Sequence, residues 1–338
     1  MKSILIVGHG LAGAILAHTL INRGIKVTCT EGQIKHSASR IAAGLINPFI
    51  GPKLNPPPAF GKCMESNFQF FRKWEEEFGE KLYKSESLIR IFTSQKQANK
   101  WIDLTKNETT SKYTLSLIPG KKLEKLGIKA KYGAGETKVF RLNIENFLRL
   151  SRLKLKSINS WNEEIFKPTD GSEADAIIFA EGYNVCDNPY FNWLPFAPAQ
   201  GEILELSGPD LPAMSNGTWF LPSSTKRFLA GSTWKHTNLK SGPTKLGHDK
   251  IYENLKFMPI SQYKKINHLS GIRSGTKDRN PIIGRHPKFR NLYVFNGFGS
   301  RGSTIIVKYA DHMANLIINS ARLPVEIDLH RYINLYPR

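Results

Sequence analysis

The sequence has few cysteines, a shortage of acidic residues and no long apolar run. Its three cysteines, Cys29, Cys63 and Cys186, have no metal-ligand spacing, and an odd number cannot form a complete disulfide framework. We therefore expect no metal site and a reducing, cytoplasmic setting. No stretch approaches the roughly eighteen consecutive apolar residues that a membrane-spanning helix needs, so no membrane span is predicted.

The shortage of acidic residues leaves a strongly basic chain. Against 28 Asp and Glu stand 48 Lys and Arg, a net charge of +20. Such an excess suits an anionic partner such as nucleic acid. However, the cations are dispersed along the sequence, and aromatic residues are not interleaved with them as a base-stacking platform requires. A solvated basic surface is favoured, and a nucleic-acid partner stays as an alternative.

The N-terminus carries a dinucleotide-binding pattern. An apolar stretch over 3–7 predicts a buried parallel strand, which runs into G-x-G-x-x-G at Gly8, Gly10 and Gly13. Gly8 allows the tight turn, Gly10 lets backbone approach a pyrophosphate, and Gly13 lets the next helix pack closely on the strand. Together these features predict a bound dinucleotide.

The elements after the glycines support the same interpretation. A helix predicted over 11–23 begins with Leu11 and Ala12, and its N-terminal amides favour the negative charge of a ligand. A second strand over 26–30 ends at Glu31, where a carboxylate accepts hydrogen bonds from a ribose hydroxyl. A carboxylate disfavours a 2′-phosphate, so FAD or NAD is preferred over NADP.

The pattern of a buried strand, a glycine-rich turn and a helix occurs again near the C-terminus. Buried strands are predicted over 176–180 and 292–296, and a final helix over 304–320 follows the second of them. Between these parts, residues 219–221 and 227–232 alternate as antiparallel strands do. The nucleotide-binding portion is therefore assembled from separated stretches of chain.

This order predicts an α/β fold, α+β overall. It comprises a Rossmann-like domain with a parallel sheet and a substrate domain with an antiparallel sheet. The nucleotide-binding domain is assigned to 1–60, 136–198 and 266–338. The substrate domain is assigned to 61–135 and 199–265.

Five segments, taken together, resemble the D-amino-acid-oxidase-like family of FAD-dependent amine oxidoreductases, glycine oxidases in particular. They are the N-terminal fingerprint with Glu31; the small-residue stretch 39–48; IIFAEG at 177–182; FLP at 220–222 with AGST at 230–233; and 271–302. The most specific part is 271–287, which reads GIRSGTKDRNPIIGRHP. Two residues depart from the family pattern, which usually has proline at Ser274 and a small residue at Glu181.

The resemblance implies that the dinucleotide is FAD. Besides the N-terminal fingerprint, it places against the cofactor Ser39, Arg40, Ala43, Gly44, Leu45, Ala180, Gly182, Gly299, Ser300, Arg301, Gly302, Ser303 and Thr304. Gly44 and Leu45 would offer backbone to the flavin, and 299–302 would present amides to its pyrimidine end. A helix N-terminus there would stabilise the negative charge of reduced flavin.

The expected function is oxidation of the C–N bond of a small amino acid or secondary amine, with hydride transfer to flavin N5 and electrons passing to oxygen or another acceptor. This chemistry requires orientation of the substrate more than acid–base groups. Arg273 is the first candidate to bind a substrate carboxylate, because a guanidinium binds carboxylates bidentately, and Arg301 is the second.

Two alternatives stay open. The loop GFGSRG at 297–302 also resembles the oxidase domain that acts on aminomethyl groups of tRNA wobble uridine, and the charge of +20 would then bind RNA. The other alternative is a flavin-binding protein without turnover, owing to Ser274 and Glu181. The sequence leaves the oligomeric state open.

Overall fold

The computed structural model describes residues 3–31, 35–57, 59–164, 166–167 and 172–337. Its strands are β1 (Ser3–Val7), β2 (Lys26–Thr30), β3 (Leu45–Ile46), β4 (Tyr83–Ile91), β5 (Thr114–Ile118), β6 (Ala134–Leu142), β7 (Trp161–Asn162), β8 (Ala176–Phe179), β9 (Ala199–Ser207), β10 (Met214–Ser215), β11 (Trp219–Ser224), β12 (Arg227–Gly231), β13 (Lys264–Arg273), β14 (Ile282–Arg285) and β15 (Leu292–Asn296). Its helices are α1 (Leu11–Ile21), α2 (Phe60–Phe78), α3 (Gln95–Lys106), α4 (Gly120–Glu124), α5 (Ile144–Ser157), α6 (Lys245–Asn254) and α7 (Gly302–Asn319).

The nucleotide-binding fingerprint belongs to a six-stranded sheet. Its strand order is β14-β15-β8-β1-β2-β7, parallel throughout except for the β14–β15 pair. The central strand β1 therefore pairs with β2 on one side and with β8 on the other. Ligands of such sheets bind outside the carboxyl ends of the strands, where the strand order reverses. That edge lies beside Gly8.

A nine-stranded sheet holds the second half of the molecule. Its order is β13-β9-β12-β11-β10-β4-β6-β3, with β5 paired to β6, and it is antiparallel apart from the β10–β4 pair. Strands β9 and β13 pair over their whole length, with Arg273 opposite Ala199. The long β13 thus delivers Arg273 at its end. The α/β fold expected from the sequence, with one parallel and one antiparallel sheet, is confirmed.

Four helices share one hydrophobic core with the six-stranded sheet. Buried side chains of α1, α2, α5 and α7 pack against those of β1 and β8 in a single cluster. Helix α1 follows the N-cap residue Gly10, and α7 begins at Gly302, both at the cleft; the two helices bury small residues such as Ala14 and Ala310. Among the described residues, no helix combines the length and apolar character required to cross a membrane.

The local predictions agree with the structure in place and type. Strands 26–30 and 292–296 have the predicted bounds, and the helices predicted over 11–23 and 304–320 are Leu11–Ile21 and Gly302–Asn319. Helix α5 was not predicted from the sequence, although Asn143 precedes its amphipathic run and accepts a hydrogen bond from the backbone N–H of Asn146. This omission matters because α5 carries Ile144, Ser151 and Arg152, which belong to the candidate site.

The elements cross the predicted domain boundaries in three places, and the division into domains stays a prediction. Helix α2, assigned to the substrate domain, buries Phe71 and Trp74 in the core of the six-stranded sheet. Strands β6 and β13, assigned mostly to the nucleotide-binding domain, belong to the nine-stranded sheet. Tertiary contacts, and not hydrophobic periodicity, decide the sheet to which each of these elements belongs.

Gly13 offers a direct test of the contact between α1 and the sheet. A Cβ atom at Gly13 would lie 1.8 Å from the carbonyl oxygen of Gly8, which is backbone and cannot move aside cheaply. We expect Gly13→Ala to cost about 1–3 kcal/mol of stability, as overpacking does, and to lower the FAD content of the purified protein. Thermal denaturation and the flavin-to-protein absorbance ratio measure both effects.

Gly61→Ala is the matched control. Gly61 lies in α2, where the nearest atom to an added Cβ is Lys112 Nζ at 3.9 Å. Alanine has the higher helix propensity, so this variant should keep or slightly raise the melting temperature. Equal melting temperatures for the two variants would refute the close packing at Gly13.

Candidate active site

A single deep cleft brings most of the predicted site residues together. It contains about 1460 Å³ of space between atoms, including its open mouth. The predicted residues that line it are Gly8, Gly10, Leu11, Ala12, Glu31, Ser39, Arg40, Ala43, Gly44, Leu45, Ala180, Gly182, Arg273, Gly299, Ser300, Gly302 and Ser303. Gly13, Arg301 and Thr304 are not part of the lining.

The cleft is lined by backbone where a flat or phosphorylated ligand has to come close. Gly8 has φ +105°, and a Cβ there would lie 2.6 Å from the carbonyl oxygen of Ala180. Gly44 has φ +67°, and its Cβ would lie 1.9 Å from the carbonyl oxygen of Leu142. Only glycine suits these two positions, because a side chain would both strain the backbone and meet a neighbouring strand.

The N-terminus of α1 opens into the cleft without a side-chain cap of its own. Its N-cap residue, Gly10, has no side chain, and the N–H of Leu11 instead donates a 3.1 Å hydrogen bond to Ser39 Oγ. The small-residue stretch therefore lies directly against the helix that the glycines introduce. Free amides and the helix dipole at this position suit a pyrophosphate.

Glu31, the predicted ribose ligand, lines the cleft between two arginines. Arg40 Nη2 donates to Glu31 Oε1 at 2.5 Å, and Arg152 Nη2 donates to Glu31 Oε2. Arg152 comes from α5, and its guanidinium also lies 4.8 Å from the ring centre of Trp161. The two ion pairs hold the carboxylate at the end of β2, in the position expected from the sequence.

His9 connects the glycine-rich turn to α5. Its Nε2 lies 2.8 Å from Ser151 Oγ, and His18 Nε2 of α1 lies 2.9 Å from the same oxygen. Burial lowers the pKa of both imidazoles to about 3, so both rings are neutral at physiological pH. Helix α5 therefore contacts two parts of the site. Ser151 contacts His9 in the glycine-rich turn, and Arg152 contacts Glu31 at the end of β2.

Glu181, one of the two departures from the family pattern, also lines the cleft. Its Oε2 accepts a 2.8 Å hydrogen bond from Asn188 Nδ2. Burial raises the pKa of this carboxyl to about 7, because the charged form loses its hydration. The group therefore titrates near neutral pH.

Arg273 faces the cleft from the nine-stranded sheet. Its Nη2 donates to Ser232 Oγ at 2.6 Å and its Nη1 to the carbonyl oxygen of Thr233 at 3.2 Å. Its Cζ lies 4.6 Å from the ring centre of Trp234. In the described part of the chain, no carboxylate oxygen lies within 4.0 Å of the guanidinium.

The guanidinium of Arg273 lies directly over Gly201. A Cβ at Gly201 would lie 2.2 Å from Nη2 and 2.4 Å from Cζ of Arg273. Burial lowers the pKa of Arg273 to about 10, which still leaves it protonated at neutral pH. A half-buried cation with neutral partners therefore faces the cleft.

The side chain of Arg301 is turned away from the cleft. Its Nη2 donates to the backbone carbonyl oxygen of Arg279, and the side chain is absent from the cleft lining. In this geometry Arg301 is not positioned with Arg273 to bind a substrate carboxylate. The reason is local: the 3₁₀ turn over Gly299–Arg301 precedes α7 and directs the side chain towards the 276–280 loop.

Asn296, which sequence reasoning did not select, joins three segments of the site. Its Oδ1 accepts from Ser274 Oγ at 2.7 Å, and its Nδ2 donates to the carbonyl oxygen of Gly182 at 2.9 Å. The hydroxyl at Ser274 is the group that proline would lack, so this departure from the family pattern forms a contact. The N–H of Gly299 also donates to the carbonyl oxygen of Ser274 at 2.7 Å.

Other lining residues were also missed. They are His9, Lys35, Ser37, Ala38, Ile41, Ala42, Ile144, Glu181, Tyr183, Asn184, Gly201, Ile203, Trp219, Ser232, Gly271, Ile272, Ser274, Asn296, Phe298 and Ile306. A polar residue at the carboxyl end of a buried strand, as at Asn296, was a usable signal. Ser232 lies in the AGST segment at 230–233, which is part of the family resemblance. Trp219 had no such signal, because only the sheet pairing brings it to the cleft.

The parallel sheet, the glycine-rich turn and the carboxylate of Glu31 at the end of β2 are together typical of a dinucleotide-binding protein. The model of the DAO family, described as FAD dependent oxidoreductase, matches residues 3–142 and 150–316. The chain belongs to this family, and FAD is its cofactor. The backbone-lined cleft, the open helix N-terminus and Glu31 fit that cofactor.

The sequence identity to individual relatives is low. The chain is 22% identical to glycine oxidase of Pseudomonas aeruginosa over 96% of both chains. It is 27% identical to glycine oxidase of Bacillus subtilis over 46% of this chain and 45% of that protein. It is 22% identical to the Marinobacter nauticus tRNA 5-methylaminomethyl-2-thiouridine biosynthesis bifunctional protein MnmC over 93% of this chain and 55% of that protein. The chain thus spans about half the length of the last two.

Solved structures share the fold. Glycine oxidase from Geobacillus kaustophilus superposes with a TM-score of 0.78 at 19% identity, covering 96% of this chain and 97% of that one. L-proline dehydrogenase from P. horikoshii superposes with the same TM-score of 0.78 at 17% identity, covering 100% and 99%. At these identities the likeness concerns the fold alone.

Glu31 can be tested as a cofactor ligand. Glu31→Gln removes the charge that two arginines hold in place, while it keeps the size of the side chain. A hydrogen bond to a charged group contributes about 1.5–3 kcal/mol, so the FAD dissociation constant should rise about ten-fold or more. Flavin fluorescence after dilution of the holoprotein gives this constant, and an unchanged value would place Glu31 away from the ribose.

Proposed function

We propose that this protein oxidises the C–N bond of a small amino acid or of a secondary amine that carries a carboxylate. The observation that carries the proposal is Arg273, a half-buried guanidinium that faces the cofactor cleft. Within the described ranges its partners are the neutral groups of Ser232, Thr233 and Trp234. Partial removal of a cation from water carries a free-energy cost, which a ligand of opposite charge offsets.

The surroundings of Arg273 favour a carboxylate over a single-point anion. A guanidinium presents two parallel N–H donors to the two oxygens of a carboxylate. Gly201 behind it and Trp234 beside it fix its plane, as the short Gly201 distances and the 4.6 Å cation–π contact indicate. Fixed in this way, the side chain orients a substrate without losing much rotamer entropy.

The chemistry then follows from position. Bound FAD would supply the acceptor for the hydride of the α-carbon. The nitrogen lone pair forms the C=N bond of an imine, and water hydrolyses the imine to a carbonyl compound and an amine. Arg273 binds the carboxylate and thereby aims the α-carbon, while Ile203 and Trp219 add apolar surface to the cleft beside it. Oxygen or another acceptor then takes up the electrons.

Substitution of Arg273 tests this role. Arg273→Ala should leave the flavin spectrum intact and lower kcat/KM for a carboxylate-bearing amine by about 2–4 kcal/mol. Arg273→Lys should recover only part, because an ammonium cannot reproduce the bidentate geometry. For an amine of similar size without a carboxylate, the same substitution should lower kcat/KM much less. Steady-state kinetics on both substrate types measure the contrast.

Two further variants sharpen the result. Gly201→Ala leaves Arg273 in the chain but displaces its guanidinium, so it should reproduce the selective loss on carboxylate substrates. Arg285→Ala removes a cation at the exposed end of β14 and should leave kcat/KM unchanged for both substrate types. Equal losses at Arg273→Ala for both substrate types, with a lower melting temperature, would assign Arg273 to a structural role.

A second candidate function is oxidation of an amine attached to a tRNA base. One observation favours it beyond the net charge of +20: aromatic and basic side chains lie in and beside the cleft. Trp234 packs one face against Arg273 and is 51% exposed. Lys240 Nζ lies 5.7 Å from the ring centre of Tyr183, and Tyr183 and Lys35 both line the cleft. The interleaving that is missing from the sequence thus occurs in space, and exposed aromatics beside cations are typical of nucleic-acid sites.

Anaerobic reduction of the bound flavin separates the candidates. If a free amino acid or amine is the substrate, it bleaches the flavin at a rate that salt changes little. If the substrate is tRNA, bleaching requires the tRNA, weakens steeply between about 50 and 200 mM salt, and slows in Trp234→Ala. Flavin that none of these compounds reduces would support the flavin-binding protein without turnover.

A further inference from the structure

The cofactor cleft contains a carboxylate that the family pattern does not require. Glu181 follows Ala180 at the carboxyl end of β8, in the six-stranded sheet. The backbone around Ala180 lies against the glycine-rich turn, since a Cβ at Gly8 would lie 3.1 Å from Glu181 Cα. Glu181 therefore adjoins the turn and helix N-terminus that suit the pyrophosphate of FAD.

No cation compensates this carboxylate. Among the described residues, no lysine, arginine or histidine nitrogen lies within 4.0 Å of it, and its hydrogen-bond donor is the neutral amide of Asn188. The pyrophosphate adds two negative charges nearby. Like charges in a partly buried site oppose one another's ionisation, so ligand and carboxylate disfavour each other when both are charged.

The charged groups on the elements around Glu181 pair with other residues or are exposed at the cleft. From the 35–40 segment, Arg40 pairs with Glu31, and Lys35 is exposed at the cleft. From the turn over Gly182–Asp187, Asp187 is exposed with its carboxylate 3.7 Å from Lys240 Nζ.

Two more charged or titratable groups face the same region. His9 of the glycine-rich turn points to Ser151 and is neutral. Arg273 of β13 donates its hydrogen bonds to Ser232 and Thr233, across the cleft on the nine-stranded sheet. Glu181 is thus the acidic group that faces the turn without an ion-pair partner.

We propose that Glu181 is a proton-uptake site for cofactor binding: the protein binds FAD with the Glu181 carboxyl neutral and takes up one proton when that group starts ionised. The balance is one carboxylate plus one proton giving one carboxylic acid, with no change in the cofactor. Burial already raises the pKa of Glu181 to about 7, and bound FAD raises it further. FAD affinity therefore falls as pH rises above 7.

The sign of the effect follows from linkage. The complex binds one proton more than the free protein between the two pKa values, so each pH unit in that interval raises the FAD dissociation constant about ten-fold. Below pH 7 the Glu181 carboxyl is protonated both in the free protein and in the FAD complex. The FAD dissociation constant therefore does not change with pH in that range. The proposal concerns cofactor binding alone, so it stands or falls separately from the choice of substrate.

The test uses the holoprotein. It is diluted at pH values from 6.5 to 8.5, and free flavin is measured by fluorescence at equilibrium. The wild type should release FAD with a dissociation constant that rises about ten-fold between pH 7.5 and 8.5. Glu181→Gln keeps an acceptor for Asn188 but cannot ionise, so its constant should stay level and lie below that of the wild type at pH 8.5.

Asp187→Asn is the matched control, because it removes the same charge six residues away and should keep the wild-type slope. Glu181→Ser, which restores a small residue, serves if the glutamine variant folds poorly and should also show a level constant. Infrared spectroscopy gives an independent readout: a protonated-carboxyl band present in the holoprotein at pH 8 should be missing in Glu181→Gln. A slope retained in both Glu181 variants, or a wild-type constant that does not change with pH, would overturn the proposal.

Discussion

The close contact of three backbone segments at Gly8, Gly13 and Ala180 is the constraint on which the site depends. The Cβ distances of 1.8 Å at Gly13 and 2.6 Å at Gly8 mean that α1 and β8 approach the turn as closely as backbone can. This closeness turns the first amides of α1 towards the cleft and sets Glu31 at the end of the neighbouring β2. It also brings Glu181 beside the turn, where a carboxylate is unfavourable for an anionic cofactor.

The second half of the site depends on strand alternation in β9 and β13. Gly201 faces the cleft and supports the guanidinium of Arg273, while the next residue, Glu202, faces the opposite side. There Glu202 is buried and accepts hydrogen bonds from the backbone N–H and Oγ1 of Thr244 at the N-terminus of α6. The two neighbouring residues thus serve a ligand on one face of the sheet and helix docking on the other, since side chains alternate along a strand.

Charge is organised differently inside and outside the cleft. The surface carries the excess behind the net charge of +20, whereas the cleft sets Glu31 between two arginines. Over the described ranges, Arg273 and the half-buried Glu181 have neutral partners instead. Because charges interact strongly in a low-dielectric site, each of these charged residues affects which ligand charge the cleft binds. Net composition alone carries none of this information.

The sequence by itself determined the features whose physical cause is local. The glycine spacing, the acid at Glu31, the parallel and antiparallel patterns and the selection of Arg273 all follow from short segments, because turn geometry and strand periodicity act over a few residues. Tertiary structure alone decided that Arg273 has no acidic partner, that Arg301 turns to the carbonyl of Arg279, and that α5 brings Arg152 to Glu31. These contacts join residues more than twenty positions apart, and their formation depends on how sheets and helices pack, which periodicity does not encode.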